Sequence, residues 1–445
     1  MAIELGPFPL REFDGCGHRV EMGVAMSGMG SDARVVGFAE ALDVVLRHAA
    51  GVCATVVETV GLLDSAGRVL AEDISADRDQ PPFDRATRDG FAVRAEEWSS
   101  GQRLRVAGQV RAGDAWAGGE MQSDAAIEIM TGAPVPTGAE AVAMVEHAEH
   151  AGDEVWAAAG RKLREGENVV PLGSEARRGD VLVAAGVALG AAEIAVAAAC
   201  GRVDLAVRRK PKVAIVATGD ELVELTEIPG AHQIRNSNGY ALAALVAAAG
   251  GEPRRLAIAR DTREDVRERI EEGRESNLLL LSGGVSAGKY DLVEEVLAEF
   301  GAEFIFTGAR MQPGRPVVFG RLPARNHLDG TPEPECYFFG LPGNPVSTQV
   351  TFHCFVEPLL RAMCGVAGAG PMFVQASLGE DVQGKAGLTR LLPALLRHDL
   401  DRPEVRLVEW QGSGDLAANA RANCYAVLPE GRDLRAGDVI TVLLR

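Results

Sequence analysis

Hydrophobic positions change their spacing several times along this chain, and each change predicts a different kind of structure. Residues 1–33 show no periodicity and read as a disordered extension. From Phe38, the apolar residues Ala41, Leu42, Val45, Leu46 and Ala49 recur at i, i+3, i+4, the mark of an amphipathic helix. Residues 61–165 carry short alternating runs such as Leu104-Arg105-Val106 and Glu154-Val155-Trp156, which predict a β-rich region. An Ala-rich stretch from Ala191 to Cys200 predicts a helix ended by Gly201.

Residues 209–368 have another rhythm. Apolar runs at Val213–Ala217, Leu256–Ala259, Leu278–Leu281, Phe304–Phe306 and Tyr337–Phe339 alternate with helical stretches at 237–249, 262–272, 291–300 and 345–363. Strand and helix in alternation predict an α/β, doubly wound, mostly parallel sheet with helices on both faces. In the 262–272 helix, Thr262 is the expected N-cap and Asp265 and Arg269 an i,i+4 pair, with Val266 and Ile270 turned inward. Residues 371–445 return to short runs, such as Val405–Val408 and Val439–Leu444, and predict a small β-barrel or sandwich.

Composition narrows the classes. The 445 residues suggest roughly three domains at about 150 residues each. A net charge of −18 argues against a nucleic-acid binder or a polybasic membrane anchor. The longest uncharged run, Cys336 to Val356, is broken by Pro342, Gly343, Asn344 and Pro345, so no membrane helix is expected. The first thirty residues lack the apolar core of a signal peptide. Seven cysteines without C-x-x-C spacing read as reduced thiols in a cytoplasmic protein.

Ligands of open α/β sheets bind beyond the carboxyl ends of the strands, so three loops draw attention. Thr218-Gly219-Asp220-Glu221 follows the first strand. Ser282-Gly283-Gly284-Val285-Ser286-Ala287-Gly288-Lys289-Tyr290-Asp291 follows the third, and Leu341-Pro342-Gly343-Asn344-Pro345-Val346-Ser347 the last. The second has the makings of an anion cradle: convergent backbone amides, two serines, Lys289 and a following helix. It has neither the P-loop nor the dinucleotide-fingerprint order. Asp291 with Glu294 also fits a simple capping box. Asp220, Glu221 and Asp291 would place carboxylates beside the cradle, as Mg²⁺ requires to bridge phosphate oxygens; Asp220 and Glu221 equally suit a cap. Pro313-Gly314-Arg315-Pro316 presents a guanidinium from a stiff turn, a suitable donor to an oxyanion. Two further motifs lie outside this region, Pro81–Val93 and Thr131-Gly132-Ala133-Pro134-Val135-Pro136; periodicity gives neither a role.

Seven blocks, PPFDRATRDGFAV, IMTGAPVPTGAEAVAMVE, ATGDEL, QIRNSN, LSGGVSAGKYD, MQPGRP and FGLPGNPVS, resemble in sequence and order the molybdopterin molybdenumtransferase family, the MoeA type related to the insertase domain of gephyrin. The resemblance implies a four-domain chain. Residues 34–60 and 166–208 would form a linking domain, 61–165 a β-rich insertion, 209–368 the molybdopterin-binding α/β domain and 369–445 a β-barrel. It implies a homodimer whose cleft is completed by the Pro81–Asp84 region of the other subunit. The implied reaction takes adenylylated molybdopterin and molybdate and releases AMP with Mg²⁺; a molybdopterin adenylyltransferase would be a partner.

Carried over residue by residue, the resemblance implies catalytic positions at Asp220, Asp291, Asp89 and Thr131 and activity-linked positions at Pro342 and Pro345. The chemistry of the loops then assigns metal ligands to Asp220, Glu221 and Asp291, and substrate contacts to Ser282, Gly283, Gly284, Ser286, Lys289, Arg315, Pro342, Gly343, Asn344, Pro345 and Ser347. The chain departs from the family pattern at Arg88 (usually Met), at Ser174-Glu175 (the acid displaced by one) and at Gln312 (commonly Lys). Two other readings stand beside the insertase: a scaffold using the same fold, and a phosphoanhydride hydrolase that does not handle molybdate. The acidic overall charge leaves anion binding to local donors, namely loop amides, Lys289, Arg315 and Mg²⁺.

Overall fold

The structure, a computed structural model, describes residues 34–284, 292–324, 335–398 and 402–445. The expected extension 1–33 and the residues Ser286, Lys289 and Asp291 lie outside the described residues.

The predicted first helix spans Phe38–Gly51 and buries Ala41, Val44, Val45 and Ala49. It packs against the helix Glu357–Met363, deep in the core shared with the α/β region. A short strand that the pattern did not announce, Val35–Gly37, precedes it and pairs in parallel with Gly308–Gln312.

The α/β sheet has six strands in the order Glu252–Arg255, Lys212–Ala217, Leu278–Ser282, Cys336–Leu341, Val318–Leu322, Glu303–Phe306. The first four run parallel; the last two pair antiparallel. The central strands are apolar on both faces because helices cover both. Val213, Ile215, Leu278, Leu280 and Phe339 pack with Leu242, Val246 and Phe352 on one side. Ala214, Val216, Leu279, Leu281 and Phe338 pack with Val266, Ile270, Val293 and Val296 on the other. The sheet is doubly wound.

Several local expectations are corrected. The second strand is Glu252–Arg255, not Leu256–Ala259, because an exposed edge strand needs no apolar run and Glu-Pro-Arg-Arg has none. The Phe304–Phe306 run lies on an antiparallel edge, paired with a strand, Val318–Leu322, absent from the predicted set. The helix expected at 345–363 is three pieces: Pro345–Thr351, a wide turn at Phe352–Val356, and Glu357–Met363. Pro358 has no N–H for the carbonyl one turn back, which accounts for the widened turn before it. Thr262 does cap its helix, but Asp265 accepts the Arg260 backbone N–H at 3.2 Å, and Arg269 pairs with Glu272 at 2.7 Å rather than with Asp265.

Upstream lies a six-stranded sheet in the order Ala141–Met144, Gly90–Val93, Ala125–Ile129, Leu104–Val110, Glu154–Ala157, Ala148–Ala151. Segments before and after it are joined by two-stranded ribbons, Val57–Gly61 with Asp204–Arg208 and Ile74–Ser75 with Val181–Val183, against which the helix Ala191–Ala199 packs. The C-terminal strands Thr389–His398, Pro403–Leu407, Phe373–Leu378, Val439–Leu444 and Cys424–Leu428 close into a barrel-like ring through pairing of the first with the last. Gly308–Gln312 and Val35–Gly37 extend that sheet, so the barrel recruits strands from two earlier parts of the chain. Among the described residues, no helix is long and apolar enough to cross a membrane. The six described cysteines are unpaired.

Candidate active site

The chain leaves Lys212–Ala217 for the edge strand on one side and returns to Leu278–Ser282 on the other, which opens a crevice at the carboxyl ends. A cleft of about 1160 Å³ lies there. Thr218, Glu221, Ser282, Gly283, Gly284, Pro342, Gly343, Asn344 and Pro345 line it, so the structure gathers residues from all three loops singled out in the sequence. Gly414 and Leu416 of the C-terminal region also line it, which makes the cleft a junction of the α/β sheet and the barrel.

The glycine turn is built for close approach. Gly283 and Gly284 have φ of +96° and +65°, in the left-handed region. A Cβ on Gly283 would stand 2.5 Å from the Thr218 carbonyl oxygen, and one on Gly284 2.7 Å from Val293 Cγ2. Thr218 itself is 4% exposed, and its hydroxyl has no hydrogen-bond partner among the described residues. It sits at the cleft wall against the glycine turn, which leads into residues outside the described ones.

Asp220 is exposed, and its carboxylate accepts the Asp261 backbone N–H at 3.2 Å. Glu221 and Asp261 line the cleft. Among the described residues no three His, Cys, Asp or Glu side chains converge as a ready-made metal cage. Asp291, the third expected metal ligand, lies outside those residues, and Asp220 and Glu221 are the two carboxylates of that set that the structure describes.

Arg315 is exposed beside Pro316, which lines the cleft, and its carbonyl accepts the Ala309 N–H at 3.0 Å. At the same turn, Gln312 Oε1 accepts from Lys385 Nζ at 3.0 Å, so the barrel brings an ammonium next to the position where the chain carries Gln. Ser347 does not line the cleft. It is 4% exposed, and its carbonyl accepts the Thr351 hydroxyl at 2.9 Å. The Val346 N–H, at the start of this helix, donates to the Ser413 carbonyl at 3.0 Å. The Pro-Gly-Asn-Pro turn is held by Thr348, whose hydroxyl donates to the Pro342 carbonyl at 2.6 Å.

Asp89 and Thr131 stand apart from this cleft, in the six-stranded sheet, but they meet each other. Asp89 Oδ1 accepts the Thr131 backbone N–H at 2.7 Å and its hydroxyl at 2.8 Å. Those two bonds, the backbone one foremost, hold the Asp89 carboxyl below the usual carboxylate range. Around them the upstream motifs knit together. Ala86 and Gly132–Ala133 exchange backbone bonds, Asp84 accepts the Leu172 N–H at 2.7 Å, and Arg85 pairs with Glu175 at 2.8 Å. Ser174 turns its hydroxyl to the Pro171 carbonyl, while Arg88 is exposed and donates to the neighbouring Thr87 carbonyl.

Sequence reasoning named the loop of Thr218 without giving that residue a role, and gave none to Asp261, Asn238 or the Gly414–Leu416 segment. Asn238 donates from Nδ2 to Ser282 Oγ at 2.9 Å and to the Gly343 carbonyl at 2.8 Å. Its signal was present in Asn236-Ser237-Asn238, where the first Asn caps a helix and the second falls in its first turn. Nothing local announced Gly414 and Leu416.

Three family models match: the MoeA N-terminal region (domain I and II) over residues 36–201, a probable molybdopterin binding domain over 214–362, and the MoeA C-terminal region (domain IV) over 375–444. The chain is 32% identical over 397 residues to a molybdopterin molybdenumtransferase of Staphylococcus aureus (strain COL), covering 87% of this chain and 90% of that one. A Staphylococcus epidermidis protein of the same name is 32% identical over 394 residues, 86% of this chain and 90% of its own. The crystal structure of the molybdopterin biosynthesis moeA protein from Pyrococcus horikoshii OT3 superimposes with a TM-score of 0.75 at 29% identity, over 93% of this chain and 100% of that one.

Proposed function

Because the chain belongs to the molybdopterin molybdenumtransferase family and is thus an enzyme of molybdenum cofactor biosynthesis, we propose that it takes adenylylated molybdopterin and molybdate, releases AMP in a Mg²⁺-dependent step and leaves molybdenum on the pterin dithiolene. The observation that supports this most is the cleft at the switch point. It joins a glycine turn of open backbone, a buried hydroxyl unpaired among the described residues, and the Glu221 and Asp261 carboxylates in one large space. Its volume of about 1160 Å³ exceeds the roughly 300–1,000 Å³ common for small ligands, as a pterin joined to a nucleotide would need.

In this reading the Ser282–Gly284 turn, with Ser286 and Lys289, cradles phosphate oxygens through amides and hydroxyls. Asp220, Glu221 and Asp291 hold Mg²⁺, whose charge would offset that of the phosphoanhydride as AMP leaves. Arg315, Lys385 and the Pro342–Pro345 turn receive molybdate, a substrate dianion. Asp89 and Thr131 serve the cleft of a second copy, forming a homodimeric site. Their exposed, pre-bonded pair on a separate sheet supports that assignment. The adenylylated substrate requires an adenylyltransferase upstream.

The test supplies purified protein with adenylylated molybdopterin, Mg²⁺ and molybdate. Molybdate-stimulated AMP release with molybdenum retained on the pterin is expected. AMP release indifferent to molybdate would make the protein a hydrolase. Tight pterin binding without turnover would make it a scaffold.

A further inference from the structure

We propose that Asn238 is a positioning residue for this reaction: it ties the glycine turn to the Pro-Gly-Asn-Pro turn and sets the Ser282 hydroxyl to donate into the cleft. The inference rests on the reading that the cleft binds molybdopterin.

The two turns follow neighbouring parallel strands, and the last paired residues are Ser282 and Leu341. Sheet register fixes the backbone up to that pair and no further. Gly343 lies two residues beyond it, where no ladder hydrogen bond can place its carbonyl. Asn238 bridges the gap from a third direction. Its helix, Ser237–Ala248, is started by buried Asn236, which accepts the Gly239 N–H at 2.9 Å. That cap sets the first turn, and Asn238 sits in it.

Chemistry then decides the orientation of each group. The Gly343 carbonyl can only accept, so the amide group facing it at 2.8 Å must be the nitrogen. The second hydrogen of that nitrogen goes to Ser282 Oγ at 2.9 Å. Both Asn238 donors are thereby used. Ser282 Oγ accepts, so its own proton points elsewhere, and Ser282 lines the cleft. The Asn238 side chain therefore acts on an anionic ligand through Ser282, with no side-chain donor left to give.

The test is a double-mutant cycle on molybdopterin affinity, using wild-type protein, Asn238→Ala, Ser282→Ala and the double variant, with circular dichroism to confirm folding. Each single change is expected to weaken binding about tenfold, the scale of one hydrogen bond to a charged group. The double variant is expected to bind about as weakly as Ser282→Ala alone, because Asn238 works through that hydroxyl. Hydrogen exchange at the Gly343 and Asn344 amides should quicken in Asn238→Ala and not in Ser282→Ala. Multiplying losses in the double variant, or wild-type affinity in Asn238→Ala, would overturn the proposal. If the alanine variant fails to fold, Asn238→Asp replaces it: the shape is kept and the donor lost, and wild-type affinity there would overturn it equally. A wild-type protein that does not bind molybdopterin at all would instead overturn the functional reading beneath it.

Discussion

Two regions of this molecule carry the chemistry-bearing motifs, and they are assembled in opposite ways. The cleft is made where parallel strands end. Lys212–Ala217, Leu278–Ser282 and Cys336–Leu341 deliver their loops side by side, and glycine and proline shape each turn. The upstream cluster is made by long-range side-chain bonds on an otherwise ordinary sheet: Asp89 to Thr131, Asp84 to Leu172, Arg85 to Glu175. The first offers a large concave space lined by backbone. The second offers exposed side chains already locked to one another. In the proposed dimer, the upstream cluster of one copy would complete the cleft of another.

Changes on the cleft side should cost most. Asp220→Asn or Asp291→Asn is expected to lower turnover by about a hundredfold or more while molybdopterin binding stays measurable, since a metal-holding carboxylate acts on the charged transition state. Steady-state AMP release beside equilibrium binding separates the two effects. Turnover near wild type would remove the metal assignment. Gly283→Ala should come next. A Cβ there meets the Thr218 carbonyl at 2.5 Å on a backbone with φ +96°, so about 1–3 kcal/mol of stability should be lost, read by chemical denaturation.

Lys385→Ala should raise the molybdate KM only about threefold, and less at high salt, because an exposed charge is screened. An unchanged KM at low salt would take Lys385 out of the molybdate site. The smallest effect belongs to the upstream cluster. Thr131→Val keeps the backbone bond to Asp89 but removes the hydroxyl. The Asp89 pKa should therefore rise part of the way toward the usual carboxylate value, followed by NMR titration. The sign follows from a depressed folded-state pKa: what the bonded carboxylate contributes is present above the ordinary Asp range and is lost as pH falls through its folded value. In Thr131→Val that contribution is smaller, and its loss, which starts at the same ordinary Asp range, is complete at a higher pH.

The same contrast explains what could be read in advance. The doubly wound sheet was legible because buried central strands must be apolar throughout, and Leu278–Leu281 is. The edge strand Glu252–Arg255 was not, since an exposed strand is free to be Glu-Pro-Arg-Arg. The glycine turn and the Pro-Gly-Asn-Pro turn were legible because their backbone geometry demands those residue types. Ser347 is buried and is not among the cleft-lining residues, since a place in a helix's first turn does not set a direction relative to a cleft. Asp89 and Thr131 were each named through family resemblance. Their bond across forty-odd residues of chain is tertiary, as are the Lys385 approach to Gln312 and the Gly414–Leu416 wall.

In the proposed homodimer, Asp89 of one copy would serve the cleft that carries Asp220 of the other. The direct measurement mixes Asp89→Ala protein with Asp220→Ala protein, each inactive alone, under conditions that let subunits exchange. A shared site predicts that heterodimers regain one intact centre, so the equal mixture should recover about a quarter of wild-type molybdenum transfer. A mixture as inactive as its parents, with heterodimers verified by mass spectrometry, would contradict the claim.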